Sequence, residues 1–197
     1  MNDAQLETAT MPHSDDELVR RAKTDRAAFG TLFDRYYGRI ARYCLRRLPN
    51  REIAEDVTSD VFLQMASHIG AFAGQTETDF RCWLFRIATN AIAAHQRQAG
   101  RRAQLWQTAA HRGQFDRPAV EHPHDARDAR LDWPVVRAAI AELDERDQTI
   151  VTLRFFSDCS HEEIADVVEA SVGAVRTALT RALAKLREKL DSLGPPT

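Results

Sequence analysis

Apolar residues recur at intervals of three and four over most of the chain, and strand-like alternation of any length is absent. The helical pattern begins near Asp15 and runs to about Gly100. It resumes at Val135 and lasts to Leu190, where Gly194-Pro195-Pro196 stops it. Asp15 or Ser14 can cap a first helix reaching about Thr24. Phe29, Leu32, Phe33, Tyr36, Ile40, Tyr43 and Leu48 define a second, which Pro49-Asn50 breaks. Ile53 to Ile69 predicts a third, with Val57, Val61, Met65 and Ile69 on one face. Asp56, Asp60 and Gln64 repeat at the same spacing on the opposite side. A loop over 70–79 with two glycines precedes a helix from Phe80 to Arg97, which turns Trp83, Leu84, Ile87 and Ile92 inward.

The periodicity fails twice. Residues 1–14 are polar and read as a disordered tail. Residues 103–134 hold Gly113, Pro118, Pro123, His111, His122, His124 and scattered charges, and read as a linker. The expected fold is therefore all-α, with two small helical domains, 15–102 and 135–191, joined by a flexible linker.

Composition narrows the class. An apolar share of 44% can fill a core, and 28% charged residues is ordinary for a globular chain. Cys44, Cys82 and Cys159 are odd in number, far apart and set in apolar helical surroundings, so they are expected as reduced core residues. No apolar run reaches membrane-spanning length, and the N-terminus lacks a signal-peptide core, so a cytoplasmic location is expected. The net charge of -2 disfavours nucleic acid only weakly, because phosphate binding depends on where the cations sit.

Local charge is more informative. No acid lies between Asp79 and Asp116, while Arg81, Arg86, Arg97, Arg101, Arg102 and Arg112 fall there, with Phe80, Trp83, Phe85, Trp106, Asn90, His95, Gln96 and Gln98 among them. Arginines contact phosphates, aromatic faces stack unpaired bases and amides read base edges. A plain basic helix face is the competing reading, and for Trp83 core packing is the better one.

A second signal lies near the C-terminus. Ser160-His161-Glu162-Glu163 fits a capping box, with Glu163 reaching back to the amide of Ser160. A short helix follows, then a turn at Glu169-Ala170, then a second helix capped by Ser171. This is helix-turn-helix spacing. Ala165 is small where the helices cross, and Val168 and Val175 form an apolar clamp. The second helix exposes Arg176, Thr177, Thr180 and Arg181, then Lys185 and Arg187, a face suited to the major groove. A plain helical hairpin is the alternative.

These segments resemble a known family. Glu55-Asp56-Val57-Thr58-Ser59-Asp60-Val61-Phe62 looks like the core-binding helix of bacterial sigma factors. Phe80 to Asn90 resembles the promoter-melting segment of their extracytoplasmic-function (ECF) group. Leu143 to Leu190 resembles their C-terminal domain, including Glu162-Glu163-Ile164-Ala165 and Val172-Gly173-Ala174-Val175-Arg176. The resemblance implies an alternative sigma factor that binds core RNA polymerase and directs it to promoter DNA. Asp56, Asp60 and Gln64 are then expected to face polymerase. Arg81, Arg86, Asn90, Arg97, Arg101 and Arg102 are expected to serve the minus-ten element, which the N-terminal domain would melt and read as single strand. Ser171, Arg176, Thr177, Thr180, Arg181 and Lys185 are expected to read the minus-thirty-five duplex. The loop Phe72 to Thr78 matches the one that takes up an extruded base. No cofactor and no metal are implied, and no enzymatic activity. Many relatives are held inactive by an anti-sigma factor, and the sequence leaves open whether this chain has one.

Several positions depart from the family. It often has Asp at Ala94, Pro at Asp144, Gly at Glu169, and Arg at Ala178 and Leu183. These bear on DNA preference more than on general function. Two other classes compete. A stand-alone helix-turn-helix regulator would bind DNA without polymerase, but its sensory domain would not need an acid-free arginine segment. An enzyme or metal protein using His111, His122, His124 and a cysteine has no scaffold to fix ligand geometry, and no phosphate loop or nucleophile motif is present.

Overall fold

The computed structural model describes residues 15–109 and 133–192. The tail, most of the linker and its three histidines lie outside the described residues. Among the described residues all regular structure is helical: α1 (Asp15–Ala22), α2 (Arg26–Arg47), α3 (Arg51–His68), a 3₁₀ turn (Ile69–Ala71), α4 (Glu77–Ala109), α5 (Trp133–Ala141), α6 (Glu145–Phe156), α7 (His161–Val167) and α8 (Val172–Ser192).

The starts of α2 and α3 follow from local chemistry. The Asp25 side chain accepts from the amides of Ala27 and Ala28 to cap α2. Asn50 does the same for α3 through the amide of Ile53, so Pro49-Asn50 both ends one helix and begins the next. In α3 the row Val57, Val61, Met65 is buried, and Asp56, Asp60 and Gln64 are exposed, as the spacing predicts. Burying each such apolar side chain contributes about 1.5–3 kcal/mol, which fixes which face of α3 stays exposed. Tyr36, Tyr43, Phe80 and Phe85 fill the centre of the first domain with α2 and α4 as walls. The Tyr36–Phe80 and Tyr43–Phe85 rings meet edge to face.

Three readings need correction. Helix α4 starts at Glu77 and continues to Ala109, because nothing from Arg97 onward breaks it before the end of the described segment. The first seven residues assigned to the linker are therefore helical. Cys159 is not in a helix but in the connection between α6 and α7, though it is fully buried as expected. Helix α8 runs to Ser192, two residues beyond the Leu190 at which the helical pattern is expected to end.

The two helical units pack on one another. Helix α7 lies against α4, and α6 against α2. Arg47, 8% exposed, reaches from α2 to donate to Thr149 Oγ1 of α6 at 2.6 Å.

Candidate nucleic-acid interface

Helices α7 and α8 form the helix-turn-helix. Ser160 and Glu163 complete the capping box: Ser160 Oγ accepts from the Glu163 amide at 3.2 Å, and Glu163 Oε2 accepts from the Ser160 amide at 2.7 Å. The Ala174 amide donates to Ser171 Oγ at 3.2 Å, so Ser171 caps α8. Ala165 of α7 and Val175 of α8 are buried, as is Ala182 further along α8, and Val168 packs against the same core. The turn adopts a left-handed backbone at Glu169, where φ is 51°. The family's glycine would sit there without strain, and Glu accepts about 1 kcal/mol to keep the geometry.

Ser171 at the cap and Arg176, Thr177, Thr180, Arg181 and Lys185 on α8 are all exposed. Their pairing differs. Arg176 Nη2 lies 3.8 Å from Glu162 Oε1, with both side chains 64% exposed, a loose surface pair that solvent screens. Arg181 is held closely. Its Nη2 donates to Asp147 Oδ1 at 3.0 Å and to Oδ2 at 3.2 Å, and its Nε approaches Oδ2 at 3.4 Å. Asp147 is fully buried in α6. The departure at Asp144 supplies a cap in place of proline: its Oδ1 accepts from the Asp147 amide at 2.9 Å, which holds the Asp144 carboxyl below its usual range. Ala178 is buried and Leu183 exposed, so neither stands in for the arginine the family often has.

On α4, Asn90, Arg97, Arg101 and Arg102 are exposed, as is Ala94. Arg81 and Arg86 are not free. Arg81 pairs with Glu163 of α7. Arg86 Nη2 donates to the Asp166 carbonyl at 2.7 Å, and its Nη1 lies 3.7 Å from Glu169 Oε1. The Nε atoms of Arg81 and Arg86 are buried and have no hydrogen-bond partner among the described residues. Asn90 opens onto a cleft of about 450 Å³ between the two units, lined also by Thr89, Arg146 and Val168.

Several side chains tie the loop before α4 to its surroundings. The Phe72 ring stacks on Trp83 at 4.8 Å and meets Phe80 at 6.0 Å. Lys23 Nζ sits over the Phe72 ring and donates to the Gly74 carbonyl at 2.9 Å. Asp79 accepts from the amides of Gln75 and Thr76, both at 3.0 Å, and these bonds lower its pKa. The Glu77 amide donates to Asp16 Oδ1 at 2.7 Å. Trp83 is half-buried core, as expected.

Sequence reasoning missed Asp147 and the second role of Glu163. Asp147 did leave a signal. It falls four residues after Leu143 and three before Ile150, on the apolar row of α6, where a charge demands a partner.

Among the described residues no group of three or more His, Cys, Asp or Glu is placed to hold a metal ion, and no helix is long and apolar enough to cross a membrane.

A capped helix-turn-helix joined to an aromatic, arginine-bearing helix defines a DNA-binding transcription protein. Comparison with known proteins identifies the family. Residues 32–102 match the family description "Sigma-70 region 2" and residues 135–186 match "Sigma-70, region 4". The chain is 36% identical over 176 residues to the ECF RNA polymerase sigma factor BldN of Streptomyces coelicolor, covering 88% of this chain and 65% of that protein. It is 31% identical over 188 residues to the RNA polymerase sigma-H factor of Pseudomonas aeruginosa, covering 92% of this chain and 94% of that one. The solved structure of CnrH in complex with the cytosolic domain of CnrY matches with a TM-score of 0.66 at 26% identity, over 90% of this chain and 97% of that one. The sigma factor RpoE of Bartonella quintana, solved with the anti-sigma factor NepR, shares the fold with a TM-score of 0.69 at 20% identity, over 83% of this chain and 96% of that one. The chain belongs to the extracytoplasmic-function group of sigma factors. Its role is promoter-specific transcription initiation.

Proposed function

We propose that this chain carries core RNA polymerase to promoters by dividing the work between its two units. The exposed side of α3, with Asp56, Asp60 and Gln64, docks on a basic helical surface of polymerase. Helix α8 enters the major groove of the minus-thirty-five element. Helix α4 and the Phe72 to Thr78 loop open the minus-ten element and take its single strand. The observation that carries the reading is the α8 face: six polar or cationic side chains are exposed in one stretch while Val175, Ala178, Leu179 and Ala182 are buried behind them.

The division follows from physical chemistry. A rigid helix reads a closed groove, while an unstacked base needs a pocket and a stacking surface. Asn90 has an amide that both donates and accepts, so it can pair with a base edge available only after unstacking. Arg81 and Arg86 now contact Glu163, Asp166 and Glu169. Phosphate oxygens offer the same charge and acceptor geometry, and would replace these partners once α7 leaves α4. The factor acts through polymerase rather than as an enzyme. The similarity to CnrH, solved in complex with the cytosolic domain of CnrY, supports a further protein partner besides polymerase, and an anti-sigma factor is the class that the family resemblance implies.

Run-off transcription with core polymerase over a promoter library tests this reading. Start sites with fixed upstream elements at both positions are the expected result. The Asp56→Lys, Asp60→Lys double variant should fold but lose polymerase in a native pull-down. Undiminished binding would remove α3 from the interface.

A further inference from the structure

We propose that Asp147 is a positioning residue for promoter recognition: it holds the guanidinium of Arg181 in one orientation on α8, so that its outer edge is presented to a base. The inference rests on the reading of α8 as the duplex-binding helix and names the residue that sets its discrimination.

The geometry is asymmetric. Asp147 is wholly buried, while the Arg181 side chain is 57% exposed. Three contacts engage one edge of the guanidinium, from Nε and Nη2 to the two carboxylate oxygens. Nη1 and the outward hydrogen of Nη2 remain as two parallel donors. That pair matches the O6 and N7 acceptors of guanine. An arginine free to rotate can satisfy a phosphate from many directions. One clamped along its inner edge can meet a paired acceptor in only one pose.

The surroundings favour the clamp. Thr177, Arg181 and Lys185 follow one another at four-residue intervals, so they form one exposed row along α8. Asp147 lies in the first turn of α6, whose dipole favours a carboxylate. Asp144, the cap of that helix, feels the charges of both Lys185 and Arg181. The acidic start of α6 thus lies behind the basic row of α8. Arg176 has no such support, since among the described residues its ion pair is the loose one to exposed Glu162. Arg181 should therefore discriminate between bases, and Arg176 should add affinity without regard to sequence.

The test is run-off transcription by the full chain with core polymerase on promoters randomised at the minus-thirty-five element, for wild type, D147N, R181A and the D147N/R181A pair. Asp147→Asn should flatten the preference at one base pair by about tenfold, and should have no further effect on preference when Arg181 is already Ala. R181K keeps the charge and loses the fork, so it shows whether the preference depends on the guanidinium. It should lose the same preference while polymerase binding persists. If R181A and R181K lose the preference but a folded D147N keeps it, Asp147 is only structural and the proposal falls. If D147N does not fold, D147E takes its place, since it keeps the charge and displaces the carboxylate from the Arg181 edge, and wild-type preference in a folded D147E overturns the proposal. If no α8 variant changes any preference, the duplex reading itself fails.

Discussion

Glu163 serves two elements at once: one carboxylate oxygen pairs with Arg81 of α4, and the other accepts from the Ser160 amide that starts α7. The residue that caps the first helix of the DNA-binding motif therefore also ties it to the helix assigned to promoter melting. Both side chains are largely withdrawn from water, 19% exposed for Arg81 and 9% for Glu163, so the pair is little screened.

Replacing Glu163 with Gln should separate the two roles. Gln can still accept from the Ser160 amide, as in other capping boxes. It cannot neutralise Arg81. The expected loss is about 2 kcal/mol of packing between the units, in the range of a hydrogen bond to a charged group. Small-angle scattering should show a larger radius of gyration, while circular dichroism keeps its helical signal. An unchanged radius would mean that the packing of α6 on α2 suffices to hold the units together.

The thiols report the same seam. Burial pushes Cys44, Cys82 and Cys159 up to about 11, so few thiolates exist at neutral pH. Cys82 Sγ lies 3.8 Å from the Glu163 carbonyl, at the contact between α4 and α7, whereas Cys44 is inside the first domain. Maleimide labelling followed by peptide mass spectrometry should find all three slow in the wild type. In E163Q, Cys82 should speed up and Cys44 should not. Equal acceleration of both would indicate global unfolding instead.

Gly74 is required by contact. A Cβ there would lie 2.3 Å from Phe72 Cζ and 2.7 Å from Asp79 Cβ. Phe72 cannot swing away without leaving the Trp83 face. Gly74→Ala should cost about 1–3 kcal/mol, as overpacking does, and calorimetry will measure it. It should impair promoter opening and leave duplex binding by α8 intact. A normal open complex on a permanganate footprint would show that the loop tolerates repacking.

Acid should loosen the same loop. The Asp79 carboxyl is held below its usual pKa chiefly by the amides of Gln75 and Thr76. A depressed folded value means that its contribution is complete above the unfolded pKa of about 3.9 and is lost as pH falls through the folded one. Protection of the Gln75 and Thr76 amides against hydrogen exchange should hold at pH 5 and weaken only at pH values below that unfolded pKa. In Asp79→Asn the protection should be weaker in both ranges and change little between them.

What the sequence determined is local. Caps, helix faces and the acid-free stretch depend on residues a few positions apart, and α3, the Ser160 box and the exposed α8 row were legible for that reason. The family followed from ordered motifs of the same kind. The tertiary structure alone decided which charges meet. Arg81 finds Glu163, Arg86 finds the Asp166 carbonyl and Arg181 finds Asp147 across long stretches of chain. No periodicity records such pairs, because a charged side chain has the same local preferences whether its partner is phosphate, water or a distant carboxylate. The place of Asp147 on the apolar row of α6 calls for a partner, but only the docking of α8 over it made that partner Arg181.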